Sequence, residues 1–408
     1  MPRKSRDIME KHWIAMPAVL SFLVVAHARV DATAVTYDFT LIAADGGPLT
    51  AFNSNIYPAV NGAGAVAFQA WTSTGVEGIF VGSGGNVTTI ASNAAGTPFD
   101  FFGPGLAAGP LIDGDGDVAF KAYLKAGGQG IFLSEGAVID IVARTSLSAE
   151  SLQLIGMNQA GVVAYSVEQG GGSARVFTFD DGVVTTIASG AVSATGAINS
   201  AGTVAFVQLL PSSEQLVAGN GGPLTRIAAT GGDSPFSSIF SPSINANGTV
   251  AFVAYLDGST GIFTGNGGPI TTFVDSLGPY LVFDFPSINS DGVIAFRAVL
   301  DGGGVGIFTG PDPTADRVIG SGDPLFGSRV GSLEFGGGYS LNDAGQVVFR
   351  AGLYDGRTVL VRADPTAPVP EPPSLLYVGL GLAVCASRKL HAKRIALMLG
   401  LAKREGRP

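Results

Sequence analysis

Three aspartates alternate with glycines at Asp113-Gly114-Asp115-Gly116-Asp117, and hard carboxylate oxygens at such spacing are a calcium-ligand pattern. The remainder of an EF-hand loop is missing, because the sixth position is Val118 rather than glycine and the twelfth is Leu124 rather than glutamate. The same residues also read as a plain turn, with Asp113 first, Gly116 fourth and two solvated aspartates beside them. A second set is Gln69, Lys121, Arg297 and Arg350, each directly after the aromatic residue of a recurring motif, where other copies carry Ser166, Val207 and Val253. In a closed ring such positions share one layer and form either a polar cluster near the axis or structural ion pairs. Carboxylates are plentiful enough for a glycosidase or lyase pair, but no spacing singles out two of them.

Other chemistries are excluded by composition. The three histidines, His12, His27 and His391, and the single cysteine, Cys385, all lie near the ends of the 408-residue chain. Residues 35–367 therefore lack Ser-His-Asp and Cys-His nucleophile systems, ordinary zinc ligands and disulfides. No G-x-x-x-x-G-K-[ST] phosphate loop is present. The same span holds 11 Lys and Arg against 27 Asp and Glu, which disfavours nucleic acid, whose binding depends on neutralising phosphates. Trp71 is the only tryptophan there, a weak basis for sugar stacking.

The elements that must position these residues come from a repeat. The motif N-x-x-G-x-V-A-F recurs seven times, beginning at residues 61, 113, 158, 199, 245, 289 and 342. Its turns pair Asn61 with Gly64, Asn158 with Gly161, Asn199 with Gly202, Asn245 with Gly248, Asn289 with Gly292 and Asn342 with Gly345. The second copy pairs Asp113 with Gly116. Intervals of 41 to 53 residues match propeller blades rather than leucine-rich or ankyrin units. Asparagine first and glycine fourth suit a type I turn that closes on a left-handed residue. Many of the 60 glycines are thereby accounted for as turn residues.

One unit is clearest over 241–275. The motif turn opens a continuously apolar strand (Val250 to Ala254), a second turn leads to Gly261-Ile262-Phe263, and a third leads to Ile270-Thr271-Thr272-Phe273. Apolar character on both faces implies burial on both. The expectation is an all-β chain, a seven-bladed propeller of four-stranded antiparallel blades, in preference to an open solenoid or a string of small sandwiches. The seventh unit lacks an outer strand, whereas Phe39-Thr40-Leu41-Ile42-Ala43 precedes the first motif. The N-terminal strand is thus expected to complete the last blade and close the ring over 35–365.

The ends read as addresses. Residues 1–34 have basic residues before an apolar run from Ile14 to Ala26, then small-residue sites at Ala28 and Ala34, the layout of a secretory leader. A buried N-terminal helix is the plainer alternative. Residues 366–373 form a proline-rich linker containing Pro370-Glu371-Pro372; 374–394 combine a short apolar segment with Arg388 and Lys389; and 395–408 form a further basic tail. This end resembles the PEP-CTERM sorting signal of Gram-negative bacteria, although such signals usually stop just after the basic cluster. The resemblance implies recognition by an exosortase-type sorting transpeptidase, with inner-membrane anchoring through the C-terminal segment before display at the cell surface or release. The repeat itself, over about 40–362, is similar to the NxxGxVAF tandem-repeat proteins of bacteria, which are exported and supply no catalytic residues to carry over. Together these imply a non-enzymatic surface or matrix protein that binds exopolysaccharide or other surface proteins, with no cofactor unless calcium is held at Asp113, Asp115 and Asp117. The alternative is a carboxylate-dependent enzyme acting on exopolysaccharide.

Overall fold

A computed structural model describes residues 35–366, apart from 54–55, 104–108, 147–149 and 170–172, and for 193–194 the backbone alone. The expected leader, the Pro370-Glu371-Pro372 motif, Arg388 and Lys389 lie outside the described residues. Among those described there are strands and turns and no helix, hence none long and apolar enough to cross a membrane.

Each motif turn is built by its own first residue. The amide of Gly64 donates to Asn61 O and that of Asn61 to Ala65 O, both at 3.0 Å. The side-chain oxygen of Asn61 accepts from Ala63 N and Ala65 N, an Asx arrangement that replaces strand pairing with local bonds. The fourth residues are Gly64, Gly116, Gly161, Gly202, Gly248, Gly292 and Gly345, and all seven take φ between 75° and 93°. Only glycine occupies that region without strain.

Beyond each turn the Val-Ala-Phe strand is buried on both faces. Val250, Ala251 and Phe252 are all fully inaccessible. Alanine recurs at the middle position because the adjacent blade packs close against that face; Ala67, Ala119, Ala164, Ala205, Ala251 and Ala295 are likewise fully inaccessible. Seven antiparallel sheets result, each running from an inner strand through the motif strand to an outer one. Blade 5 is representative: Phe236–Ile244, Val250–Leu256, Ser259–Gly265 and Thr271–Asp275. Blade faces stack on one another, so core clusters span neighbouring blades, and Phe120, Ile131, Leu154 and Tyr165 belong to one of them.

The ring closes as expected. Tyr37–Ala44 pairs antiparallel with Thr358–Pro365, from Tyr37 against Pro365 to Ala44 against Val359. Blade 7 thus takes three strands from the C-terminal end of the repeat (Ser328–Glu334, Val347–Leu353 and Thr358–Pro365) and its outer strand from the N-terminal end. Ile42 is buried, and Phe39 meets Phe349 edge to face at 6.3 Å.

The inner strands depart from the simple four-strand unit. In blades 1, 2 and 6 they are split, as Leu49–Phe52 and Ala59–Val60, Phe99–Phe102 and Leu111–Ile112, and Tyr280–Phe283 and Ser287–Ile288. In blade 7, Ser328–Glu334 is followed by Phe335 to Ser340 before Leu341 bridges to Val347. The described parts of the blade 1, 6 and 7 insertions meet. Tyr57 packs edge-on against Phe285, and a Cβ on Gly336 would lie 2.1 Å from Tyr57 Cβ.

Candidate functional site

The motif turns do more than reverse the chain. Each asparagine turns its side-chain amide toward the next blade: Asn158 Nδ2 donates to Asn199 O, Asn199 to Asn245 O, Asn245 to Asn289 O and Asn289 to Asn342 O, at 3.0 to 3.3 Å. Asn342 then donates to Asn61 O and Asn61 to Asp113 O, both at 2.8 Å. Six of the seven seams are stitched this way, all buried, and the belt runs through the closure between blades 7 and 1. The glycines of these turns serve the backbone alone. The amides of Gly161, Gly202, Gly248, Gly292 and Gly345 each donate back to the asparagine carbonyl three positions earlier, at 3.0 to 3.2 Å. With no side chain, they offer nothing to a ligand.

The seventh seam holds Asp113. Its Oδ1 accepts from the amides of Asp115, Gly116 and Asp117, but a carboxylate has no hydrogen to give to Asn158 O. Instead Gly114 N donates to Gln159 O at 3.0 Å. Residue 114 must be small, because a Cβ there would sit 2.9 Å from that same oxygen. Burial pushes the Asp113 carboxyl up from its ordinary value, the Asp117 charge adding to the rise and the amides of Asp117, Gly116 and Asp115 opposing it. Asp117 Oδ1 is directed elsewhere, accepting from Gly136 N. Among the described residues no group of three His, Cys, Asp or Glu side chains could hold a metal ion. Asp113 and Gly116 do form the motif turn, with Gly116 N donating to Asp113 O at 3.3 Å.

The axis is plugged by Tyr339. From the blade 7 insertion its hydroxyl crosses to accept from Ile198 N in blade 4 at 3.1 Å, while Val60 N of blade 1 donates to its carbonyl at 3.0 Å. A Cβ on Gly156 of blade 3 would fall 1.8 Å from the hydroxyl. Desolvation among the blades raises the phenol's pKa. On the belt side the plug floors a cavity of about 110 Å³ edged by Gln159, Ser200, Ser290 and Asp343. Asp343 there accepts from both Ser290 N and Ser290 Oγ.

A polar cluster lies three residues further along the blade 6 motif strand from its belt end, about 10 Å at strand rise. Arg297 ion-pairs with Asp284 of its own blade and donates through Nε to Leu333 O of blade 7 at 2.7 Å. Arg350 ion-pairs with Glu334, next to Leu333, and donates to Asn53 O of blade 1 at 2.5 Å. Tyr57 completes the chain: burial raises its pKa, Asp284 raises it further, and Arg350 and Arg297 pull it down. The arginines are the deeper partners. Arg350's side chain is 8% exposed against 38% for Glu334, and Arg297's is 23% against 35% for Asp284. Two carboxylates are thus held outward on two less exposed guanidinium groups, of which Arg350 is buried and Arg297 half-buried, a preorganised set of hydrogen-bond acceptors.

The other residues after the motif aromatic behave differently. Gln69 is used structurally, donating to Glu77 and to Phe102 O of blade 2. Lys121 lies over the Tyr123 ring at 5.4 Å, and burial lowers its pKa. Ser166 is buried, and its hydroxyl has no partner among the described residues. The ring therefore brings together Arg297 and Arg350 but leaves Gln69 and Lys121 on separate seams.

Sequence reasoning did not find Tyr57, Asp284, Glu334 or Tyr339, because all four sit in or beside insertions outside the repeat. For Glu334 and Tyr339 the signal was the 53-residue interval before the seventh motif; Tyr57 precedes the first motif and Asp284 lies in an ordinary interval of 44, so neither had one.

Similarity to solved structures is distant. The chain is 10% identical to a chain from the crystal structure of a mitotic checkpoint complex (TM-score 0.46, covering 88% of this chain and 98% of that one). It is 14% identical to a prolyl endopeptidase (TM-score 0.43, 73% and 46%) and 11% identical to a fucose-specific lectin from Aleuria aurantia (TM-score 0.34, 63% and 92%). No curated protein matches the sequence. A family model does match over residues 148–359, just over half of the chain, and the protein belongs to that family, described as a family of unknown function (DUF7453).

Proposed function

We propose that this protein is an exported cell-surface or matrix propeller that binds a polysaccharide or protein partner without transforming it. Its C-terminal tail, on this reading, is sorted by an exosortase-type transpeptidase. The observation that carries the binding role is the axial cluster of Tyr57, Asp284, Arg297, Glu334 and Arg350. Its two outward carboxylates are each pinned by a deeper arginine, so their oxygens are fixed acceptors for hydroxyl or amide groups of a ligand, and the two pairs are internally neutral. Fixed, charge-balanced acceptors beside an aromatic ring suit recognition at low ordering cost.

The test is calorimetric titration with exopolysaccharide purified from the producing cells, using the intact protein and the Asp284→Asn and Glu334→Gln variants. Binding that weakens at least tenfold in both variants supports the reading; binding that is absent or unchanged in both sinks it. Two carboxylates in one cluster also keep a second reading open to test, a glycosidase or lyase acting on the same polymer. Shortening of the polymer by the intact protein, abolished in either variant, would establish that activity in place of binding alone.

A further inference from the structure

Blades 2, 5 and 6 carry one aromatic pair at the start of the inner strand. Phe99, Phe236 and Tyr280 stand in register with Leu124, Leu256 and Leu300. They pack steeply tilted against Phe132, Phe263 and Phe308, at ring distances of 5.1, 5.0 and 5.2 Å. What covers the pair differs between the blades.

In blade 6 the chain covers it itself. The connection from Phe308 to its register partner Arg317 is as long as those from Phe132 to Ile141 and from Phe263 to Thr272. It contains Pro311 and Pro313, which lack the N–H needed for ladder bonds, and no strand forms between Phe308 and Arg317. The freed loop folds back, so that Pro311 O accepts the Tyr280 hydroxyl at 3.1 Å. Asp312 and Asp316 come near enough to act on that phenol. Tyr280 and Phe308 are left with no exposure.

In blades 2 and 5 the corresponding hairpins keep ladder pairs beyond the aromatic, as far as Glu135 against Val138 and Thr264 against Thr271. No loop folds back there, so the aromatic pair, though only 4–6% exposed, floors a groove. A groove of about 620 Å³ is lined by Phe99, Leu124, Phe132, Ile139, Ile141 and Arg144. One of about 630 Å³ is lined by Phe236, Leu256, Phe263, Ile270, Thr272 and Arg226. These volumes are in the range of ligand sites. Arg144 and Arg226 are exposed, and neither is in an ion pair among the described residues. Each groove therefore offers an apolar floor and an uncommitted cation, on a body that is otherwise acidic.

We infer that the grooves of blades 2 and 5 dock an extended, acidic, proline-containing peptide segment of a partner protein. The same chemistry is supplied within the chain at blade 6 by Gly310-Pro311-Asp312-Pro313-Thr314-Ala315-Asp316. Apolar contact gives such a segment its hold, proline keeps it from joining the sheet, and its carboxylates meet the free guanidinium. This inference does not depend on the axial cluster.

The probe is a fluorescein-labelled synthetic peptide of residues 310–316, with a control copy in which both aspartates are replaced by lysine, titrated into the full chain and followed by anisotropy. Saturable binding is expected, absent for the lysine copy and weakened at least tenfold by the double variant Arg144→Glu with Arg226→Glu, whose exposed positions leave the fold intact. Methyl NMR should show Ile139, Ile141 and Ile270 shifting with the peptide. Asp284→Asn should bind the peptide normally, which separates this site from the axial one. No saturable binding, equal binding of the lysine copy, or an unaffected double variant would overturn the inference.

Discussion

The side-chain amide of Asn342 donates to the main-chain carbonyl of Asn61, 281 positions away, at 2.8 Å. The bond matches those between sequential blades, so the seam where the two ends of the repeat meet is made like the rest. The belt and the shared blade 7 thus close the ring independently, one through side chains and one through a strand.

Asp113 is the one belt residue that cannot donate in its ionised form. Replacing it by asparagine supplies Asn158 O with the missing donor and should raise stability by about 1 kcal/mol near neutral pH. The sign follows from its raised pKa. The protonated form is favoured in the fold, so its contribution is present below the unfolded value near 4 and is lost as pH rises through the folded one. Thermal melts of both proteins should therefore differ at pH 7 and converge at low pH; a gap independent of pH would refute this account.

Removing residues 35–44 strips blade 7 of its outer strand and exposes the edge of Thr358–Pro365 together with Phe349 and Leu360. A fall in melting temperature far larger than that from trimming the chain after residue 366 is expected. Equal melting temperatures would contradict closure by the N-terminal strand.

Tyr339 bridges blades 7, 4 and 1, so its hydroxyl should matter even though it lies far from any edge. Tyr339→Phe leaves Ile198 N without its buried acceptor and should cost about 1–3 kcal/mol in denaturant unfolding. Gly156→Ala places a methyl on the hydroxyl's position and should displace the ring, at a cost at least as large. A neutral result for both would mean that the plug is not coupled to the blades.

Arg350 is buried, paired with Glu334 and bonded to the neighbouring blade. Arg350→Met removes the buried cation from Glu334 and takes one donor from Asn53 O, which keeps Ile56 N, for an expected loss of about 1–3 kcal/mol. Arg357 pairs with Asp355 at an exposed site, where Arg357→Met should leave stability almost unchanged. Comparable losses for the two would show that the axial arginine is no more than a surface ion pair.

The turn motif was fully legible because its geometry is local. An Asx side chain bonds amides two and four residues on, and glycine supplies the left-handed fourth position, so the seven copies declared seven turns. The blade count, strand order and closing strand followed from the period and from the missing outer strand. Arg297 and Arg350 were legible as equivalent positions, but their carboxylate partners were not. Asp284 and Glu334 lie in blade-specific segments whose approach depends on how the insertions of blades 1, 6 and 7 pack together.

Sequence alone determined the repeat, its turns, the acidic body and the absence of histidine and cysteine from residues 35–367, since each is a property of residue type or of contacts within a few positions. Only the tertiary structure decided what the turn asparagines bond to, what Tyr339 plugs and which grooves remain open. Those contacts join residues tens to hundreds of positions apart. A ring makes such neighbours by closure, and no local pattern along the chain records which side chain will face which.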